Sequence, residues 1–179
     1  EISALNADLH QHVVICGYGR VGQSIGRALR NAQQPYIALD TDPVRVQEAA
    51  VEETCVHYGD SRRGEMLVAI GLERARLLVI AVDQTDIALL ILKEARRLNA
   101  SVPILVRTRD DSQLAELKAS GASEVVPELL ESSLMLVSHA LIMVGLPAHQ
   151  VQERADQIRH DRYRLLHGIY PGAADDEEH

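Results

Sequence analysis

Three glycines near the start of the chain have the spacing of a phosphate-binding loop. Residues 17–22 read Gly-Tyr-Gly-Arg-Val-Gly and lie between a β-branched apolar run and a helical pattern. In such a loop Gly17 permits a tight turn, Gly19 lets a phosphate approach the backbone, and Gly22 lets strand and helix pack closely. The helix that follows would offer free N–H groups and the positive end of its dipole to the phosphate. The spacing therefore predicts a nucleotide site.

A carboxylate follows the glycine loop at the distance expected of a ribose ligand. Asp40 comes 18 residues after Gly22 and ends the second apolar run. A carboxylate at that place accepts hydrogen bonds from both hydroxyls of a ribose. Its charge repels a 2′-phosphate, so the pattern favours NAD(H) or an adenosine nucleotide over NADP(H). A tight glycine turn that binds no ligand is the alternative.

Residues after the third and fourth apolar runs would complete an adenosine pocket. Asp60 could accept a hydrogen bond from the adenine amino group, or it could cap the helix expected at residue 62, and the residues leave both interpretations open. Ala81 and Val82 are expected to flank the adenosine. Both positions follow strands, at the sheet edge where ligands of parallel sheets bind.

Arginines could supply positive charge to the same site. Arg20 lies inside the glycine loop, where it would neutralise a phosphate or remain a solvated surface side chain. Arg107 and Arg109 alternate along the fifth strand and therefore share a face, so one ionic site could use both. Salt bridges to Asp110 or Asp111 are the alternative.

These residues depend on a regular alternation of strands and helices. Apolar runs at 13–16, 36–39, 54–58, 77–81, 103–106 and 124–126 predict strands, and the patterns at 21–31, from 43, 62–70, 85–98 and 110–120 predict helices. Asp42 and Pro43 have the residue types of a helix start, and Gly121 those of a helix end. The alternation predicts an α/β fold, a Rossmann-like, doubly wound parallel sheet of six strands in the order 3-2-1-4-5-6.

After residue 127 the pattern is helical only, with helices expected at 128–144 and 148–166. The first of these is apolar nearly all round and needs a partner surface, or else packs only on its own sheet. Its five residues at helical spacing are Leu130, Leu134, Val137, Leu141 and Val144. We divide the chain into a linker end at 1–11, a nucleotide-binding domain at 12–127, peripheral helices at 128–166 and a flexible acidic tail at 167–179.

The composition excludes several classes of protein. The chain has 179 residues and a net charge of −8, of which residues 175–178 supply four negatives. An acidic chain without Phe or Trp lacks the basic surface and the stacking platforms of nucleic-acid binders. Two cysteines make no disulfide framework. No secretion signal is predicted, and the longest apolar run, 134–146, is too short to span a bilayer.

Catalytic machinery is hard to find. No Tyr-x-x-x-Lys exists, because the only lysines are Lys93 and Lys118. His10 and His12 could face one side as metal ligands, but no third ligand is near, so we assign them to the linker and predict no metal site. The sequence favours a sensor over an enzyme. The alternatives are a small NAD-dependent oxidoreductase and an S-adenosylmethionine methyltransferase. The methyltransferase would carry a seventh, reversed strand.

Several linked segments resemble one family. Residues 14–22, 39–43, 58–61, 81–83, 106–110 and 121–128 are similar to the nucleotide-binding domains of potassium transport, called RCK N-terminal or TrkA-N domains. The resemblance spans about 12–145. Given the segment 153–156, Glu-Arg-Ala-Asp, it is strongest to the carboxy-terminal domain of Kef-type monovalent cation:proton antiporters.

The resemblance implies a non-enzymatic regulatory domain that binds AMP or NAD(H) and gates ion efflux through dimer rearrangement. It implies a homodimer through the helix 128–144, an antiporter domain amino-terminal to the chain, and a place at the cytoplasmic face of the inner (plasma) membrane. It also implies glutathione as a second ligand, with Arg109 as a contact, and it makes Arg107 a nucleotide contact. The residues predicted to bind nucleotide are Gly17, Tyr18, Gly19, Arg20, Val21, Gly22, Asp40, Thr41, Asp42, Gly59, Asp60, Ser61, Ala81, Val82 and Arg107.

Overall fold

A computed structural model describes residues 8–52 and 54–169, with side chains to residue 162. Within that part the sheet has six parallel strands in the order β3-β2-β1-β4-β5-β6, which confirms the predicted fold class and strand order. The strands are β1 (Val13–Cys16), β2 (Tyr36–Asp40), β3 (Val56–Tyr58), β4 (Leu77–Ile80), β5 (Ile104–Thr108) and β6 (Glu124–Pro127). A seventh, reversed strand of the methyltransferase kind is not among them.

Helices connect and flank these strands. They are α1 (Arg20–Asn31), α2 (Pro43–Val51), α3 (Gly64–Ala69), a 3₁₀ turn (Leu72–Arg74), α4 (Thr85–Leu98), α5 (Leu114–Ala119), α6 (Glu128–Met143) and α7 (Ala148–Ile169). The structure confirms the predicted start of α2, because the Asp42 side chain accepts a hydrogen bond from Val44 N at 2.9 Å. Gly121 follows α5 with a φ of 109°, the conformation of a helix-ending glycine.

Two helices begin later than the sequence predicts. Asp60 accepts from Arg62 N at 3.0 Å and Asp110 accepts from Ser112 N at 2.9 Å, so each carboxylate caps a turn ahead of its helix. The interpretation of Asp60 as the helix cap is therefore wrong, since α3 starts at Gly64 with Arg63 before it. An aspartate that bonds its own backbone two residues on competes with helix formation.

The core lies on both faces of the sheet. All four residues of β1 are buried, as expected for a central parallel strand. Val14 and Cys16 pack with α3, α4 and α5, while Val13 and Ile15 pack with α1 and α2. The sheet thus holds the carboxyl ends of its strands in a fixed frame.

The segment assigned to the linker is joined to the domain where the structure describes it. Gln11 N donates to the carbonyl oxygen of Arg74 at 2.9 Å, and Gln34 Nε2 donates to Gln11 O at 2.9 Å. His12 is completely buried with Nε2 at 2.9 Å from Ile70 O, so its assignment to a linker is wrong. Residues 1–7 and 170–179, and hence most of the predicted linker and tail, lie outside the described residues.

Helix α6 packs against α7, and this decides which of its apolar residues are covered. Leu134 is 3% exposed, and Val151 and Ala155 of α7 are also buried. The predicted partner surface is therefore partly wrong, because Leu134 lies inside its own chain and Leu130 and Leu141 are half-buried. The exposed apolar residues of α6 and its end are Leu129, Met135, Leu136, Val137, Ile142, Met143 and Val144. None of the helices in the described ranges is both long and apolar enough to cross a membrane.

Candidate nucleotide-binding site

A cleft of about 600 Å³ opens at the carboxyl ends of strands β1 to β5. This is the edge at which doubly wound sheets bind ligands. Twelve predicted residues line it: Gly17, Gly19, Arg20, Val21, Asp40, Thr41, Gly59, Asp60, Ser61, Ala81, Val82 and Arg107. The further lining residues are Leu39, Arg45, Arg62, Asp83, Gln84, Ile87, Ile91 and Glu128.

The three loop glycines have different surroundings. Gly17 has a φ of 94°, and a Cβ there would lie 3.1 Å from Val82 N. A Cβ on Gly22 would lie 2.1 Å from Gly17 O, so only glycine lets α1 start this close to β1. A Cβ on Gly19 would meet nothing closer than the Arg45 guanidinium at 3.6 Å. The neighbour of Gly19 is therefore a side-chain guanidinium and not backbone, and its phosphate-binding role stays a prediction.

The Asp40 carboxylate is buried and joins the glycine loop to the start of α2 by two hydrogen bonds, which together we call the Asp40 clamp. Its Oδ2 accepts from Tyr18 N at 2.6 Å and its Oδ1 accepts from Asp42 N at 2.7 Å. Arg45 Nη1 lies 3.5 Å from Oδ2. Each carboxylate oxygen can accept more than one hydrogen bond, so contact with a ribose remains compatible with the clamp. Sequence reasoning assigned the ribose to Asp40 and did not foresee that it also positions the loop.

Three of the predicted nucleotide-binding residues do not line the cleft. The Tyr18 ring is buried against Tyr36, with centroids 6.4 Å apart and the two hydroxyls 3.0 Å apart. Gly22 is buried at the start of α1. The Asp42 side chain caps α2. Their positions support the loop and the helix ends, and any role in ligand binding stays a prediction.

Asp60 meets an arginine within the cleft. Arg62 Nε lies 3.0 Å from Asp60 Oδ1, and Arg62 Nη2 lies 2.8 Å from Oδ2. These hydrogen bonds lower the pKa of the Asp60 carboxyl below its ordinary value. The Arg62 side chain is 47% exposed, so it can move into solvent at little cost. An adenine amino group would reach Asp60 by sharing or displacing this pair.

Arg107 joins three elements at the other side of the cleft. Its Nε donates to Glu128 at the start of α6, its Nη1 donates to Ala81 O at 3.2 Å, and its Nη2 lies 3.7 Å from Asp83 Oδ1. The side chain is only 21% exposed. These contacts hold the guanidinium across the ends of β4 and β5.

Arg109 lies outside the cleft lining. It is 79% exposed, and its Nη2 lies 3.9 Å from Asp83 Oδ1, so both arginines approach one carboxylate. The alternative of salt bridges to neighbouring aspartates is not observed: Asp111 pairs with Arg162, and Asp110 accepts from Ser112. A glutathione contact at Arg109 stays a prediction.

Sequence reasoning missed four charged residues of the cleft. Arg45 and Arg62 come five and two residues after a predicted site carboxylate, which was the signal that could have found them. Asp83 directly follows Ala81 and Val82 and carried the same kind of signal. Glu128 had none, because only the packing of α6 brings it to the cleft.

Comparison with known proteins agrees with the fold and the loop. The TrkA-N domain family matches residues 13–128. The chain belongs to this family. The resemblance to TrkA-N domains and to Kef-type antiporters, predicted from the motifs, is confirmed.

This TrkA-N domain is similar to longer curated relatives. It is 46% identical over 167 residues to the putative K(+) efflux antiporter KefB of Alkalimonas amylolytica, covering 93% of the chain and 25% of that protein. It is 29% identical over 164 residues to the glutathione-regulated potassium-efflux system protein KefC of Klebsiella pneumoniae (strain 342), covering 92% of the chain and 26% of that protein. The chain thus spans about a quarter of the length of these relatives.

Solved structures of similar shape include ligand complexes. The Shewanella denitrificans Kef CTD in its AMP-bound form is 30% identical with a TM-score of 0.78, covering 88% of this chain and 96% of that one. The TrkA-N domain of the inner membrane protein ybaL from Escherichia coli is 27% identical with a TM-score of 0.69, covering 72% and 96%. The GsuK channel bound to NAD, at 19% identity and a TM-score of 0.66 over 73% and 24%, shares the fold.

Proposed function

We propose that this TrkA-N domain is the regulatory domain of a potassium-efflux cation:proton antiporter and that it binds AMP or NAD(H) in the cleft. One observation carries the proposal: the glycine loop opens at Gly19 onto a cleft whose buried carboxylate, Asp40, is at the expected ribose position. The AMP-bound state of a 30% identical domain and the NAD-bound state of a distant one support the choice of ligands.

The nucleotide would lie across the loop with its phosphate at the start of α1. Arg20 and Arg45 both line the cleft near Gly19 and would neutralise the phosphate. The ribose would bond Asp40. The adenine would then lie beside the segment 59–61, with Ala81 and Val82 flanking the adenosine from the end of β4.

The exposed face of α6 supports a homodimer. Seven apolar residues between 129 and 144 are exposed, and Met143 is 86% exposed. Many large apolar side chains exposed on one helix are typical of a protein interface. A second copy of the chain is the occupant we propose, since the same face on both copies gives a closed, two-fold assembly.

Gating would follow from different nucleotide affinities of two dimer arrangements. A ligand shifts an equilibrium only by its differential affinity for the two states. We propose that the chain conveys this shift to an antiporter domain amino-terminal to it, at the cytoplasmic face of the inner membrane. Glutathione remains the proposed second ligand, as the name of the KefC relative implies for that protein.

A regulatory role fits the cleft better than an enzymatic one. The cleft lining among the described residues contains no histidine, lysine, tyrosine or cysteine. Histidine is the most frequent general acid in enzymes, whereas the titratable groups of this lining are carboxylates and arginines. The proposal is therefore of a domain that binds its nucleotide without converting it.

Calorimetry with AMP and with NADH tests the binding site. We expect the Asp40→Ala chain to bind both nucleotides at least about tenfold more weakly, since the ribose bonds and the loop clamp are lost together. Asp156→Ala, an exposed carboxylate on α7, is the matched control and should bind as the unaltered chain does. Equal affinities for the Asp40→Ala and unaltered chains would overturn the site.

Potassium efflux tests the gating. The measurement uses membrane vesicles that carry the whole antiporter, with internal nucleotide present or absent. We expect nucleotide to change the efflux rate of the unaltered protein and to have no effect on Asp40→Ala. A nucleotide response that persists in Asp40→Ala would overturn the regulatory proposal.

A further inference from the structure

The cleft has two halves that are built differently. On the β2–β3 side of the glycine loop it is lined by Leu39, Asp40, Thr41, Gly59, Asp60, Ser61 and Arg62. On the β4–β5 side it is lined by Ala81, Val82, Asp83, Gln84, Arg107 and Glu128. In this fold an adenosine occupies the first half, and the second half receives the other nucleotide of a dinucleotide. The two halves can therefore be compared as two subsites.

An ion pair in the first half is easily opened. Arg62 holds Asp60 from within the same turn, and its side chain is 47% exposed. Both partners come from one loop, so separating them disturbs no packing between elements. Exposed pairs of this kind contribute at most about 1 kcal/mol. A mononucleotide can bind there at little cost.

The ion pair in the second half ties elements together. Arg107 is 21% exposed and bonds Glu128, the first residue of α6, while its other nitrogens approach Ala81 O and Asp83. The amide of Leu129 donates to Arg109 O at 2.9 Å, so the start of α6 is bonded to the end of β5 next to this pair. A ligand that reaches over β4 and β5 meets a guanidinium that already donates to Glu128 and to Ala81 O.

We infer that the Arg107–Glu128 ion pair makes the cleft distinguish adenosine mononucleotides from dinucleotides. The inference rests on the proposed nucleotide site. AMP uses the first half together with Ala81 and Val82 and does not reach Arg107, so it leaves the pair intact. NADH places its second nucleoside over β4 and β5, where it competes with Glu128 for Arg107. Since Glu128 begins α6, only the dinucleotide acts on the start of that helix.

Calorimetric affinities for AMP and NADH test the discrimination. Glu128→Gln removes the charge that competes for Arg107, so we expect NADH to bind at least about fivefold more tightly and AMP to stay within about twofold. Glu131→Gln is the matched control, since it makes the same change in the first turn of α6 at a residue that pairs with Arg159 outside the cleft. It should leave both affinities within about twofold.

The outcomes separate this inference from the site itself. If the ratio of NADH affinity to AMP affinity is the same in Glu128→Gln as in the unaltered chain, the inference is overturned. An equal gain for both ligands would be such a result. Failure of the unaltered chain to bind either nucleotide overturns the proposed function and the inference with it.

Amide hydrogen exchange on the unaltered chain gives a second test that needs no substitution. We expect saturating NADH to speed exchange in the peptide containing Leu129, because its bond to Arg109 O loosens when Glu128 is displaced. AMP should leave that peptide unchanged. Equal exchange with the two nucleotides would contradict the mechanism.

Discussion

The nucleotide cleft and the exposed face of α6 differ in whether their side chains have partners within the chain. In the cleft three charged groups already have partners within the chain: Asp40 with two backbone N–H groups, Asp60 with Arg62, and Arg107 with Glu128. On α6 large apolar side chains lie open, with Met143 86% exposed. The cleft is thus organised within one copy of the chain, whereas the α6 face is exposed in one copy and would be buried only in the proposed homodimer.

The comparison predicts that the α6 face can be changed without harm to the cleft. Leu136→Glu places a charge on that face in both copies of a symmetric dimer, which should weaken dimerisation by about 4 kcal/mol, roughly 2 per copy. Leu90→Glu on α4, a similarly exposed leucine, is the control. Analytical ultracentrifugation should show a monomer for Leu136→Glu and a dimer for the unaltered chain and for Leu90→Glu. Leu136→Glu should still bind AMP. A dimer that survives the substitution would place the interface elsewhere.

A matched pair of glycine substitutions separates folding from binding inside the loop. Gly22→Ala drives a Cβ to 2.1 Å from Gly17 O, so we expect a loss of about 3 kcal/mol in the free energy of unfolding. Gly19→Ala meets only the Arg45 guanidinium at 3.6 Å, so its stability should change by less than about 0.5 kcal/mol while AMP affinity falls. Urea denaturation and calorimetry measure the two effects. Equal stabilities for the two variants would contradict the assignment.

The Asp40 clamp predicts a further stability difference. Asp40→Ala leaves the amides of Tyr18 and Asp42 without their acceptor and should lower the free energy of unfolding by about 2 kcal/mol. Asp42→Ala removes the helix cap of α2 and an exposed ion pair with Arg45, and should cost about 1 kcal/mol. Denaturation in urea, without nucleotide, ranks the two. The reverse order would show that the clamp contributes little to folding.

The smallest effect is a dependence of stability on pH. Burial lowers the pKa of His12 and of His57 below the ordinary value. Below about pH 6.5 the unfolded chain binds more protons at these histidines than the folded chain does. Their contribution to the free energy of unfolding is therefore fully present above about pH 6.5 and is lost as the pH falls below that value. We expect the melting temperature to drop between about pH 7.5 and about pH 5.5, and His12→Gln to reduce that drop. An unchanged drop in the variant would assign the dependence to other groups.

Sequence reasoning predicted the parts of the site that depend on local chemistry. A glycine spacing and an aspartate after a strand were enough to place Gly19 and Asp40, because backbone conformation at these positions follows from nearby residues. Arg62 was missed although it lies two residues from Asp60. Charged residues are common on surfaces, so the type alone did not mark it as a cleft residue.

The exposed face of α6 shows where periodicity fails. The five predicted interface residues follow a helical spacing, yet Leu134 is buried in its own chain and Leu136 and Met143 are exposed instead. A helix apolar nearly all round contains more than one such stripe. Which stripe is covered depends on where α7 packs.

The sequence by itself determined the alternation of strands and helices, the glycine loop and the carboxylate after β2. These features depend on residue periodicity and on backbone constraints that act over a few neighbours. Only the tertiary structure decided that Arg107 meets Glu128 and that Leu134 is buried within its own chain. Contacts between elements far apart in the chain follow from how the faces of the sheet and the helices fit together, and no local pattern records that fit.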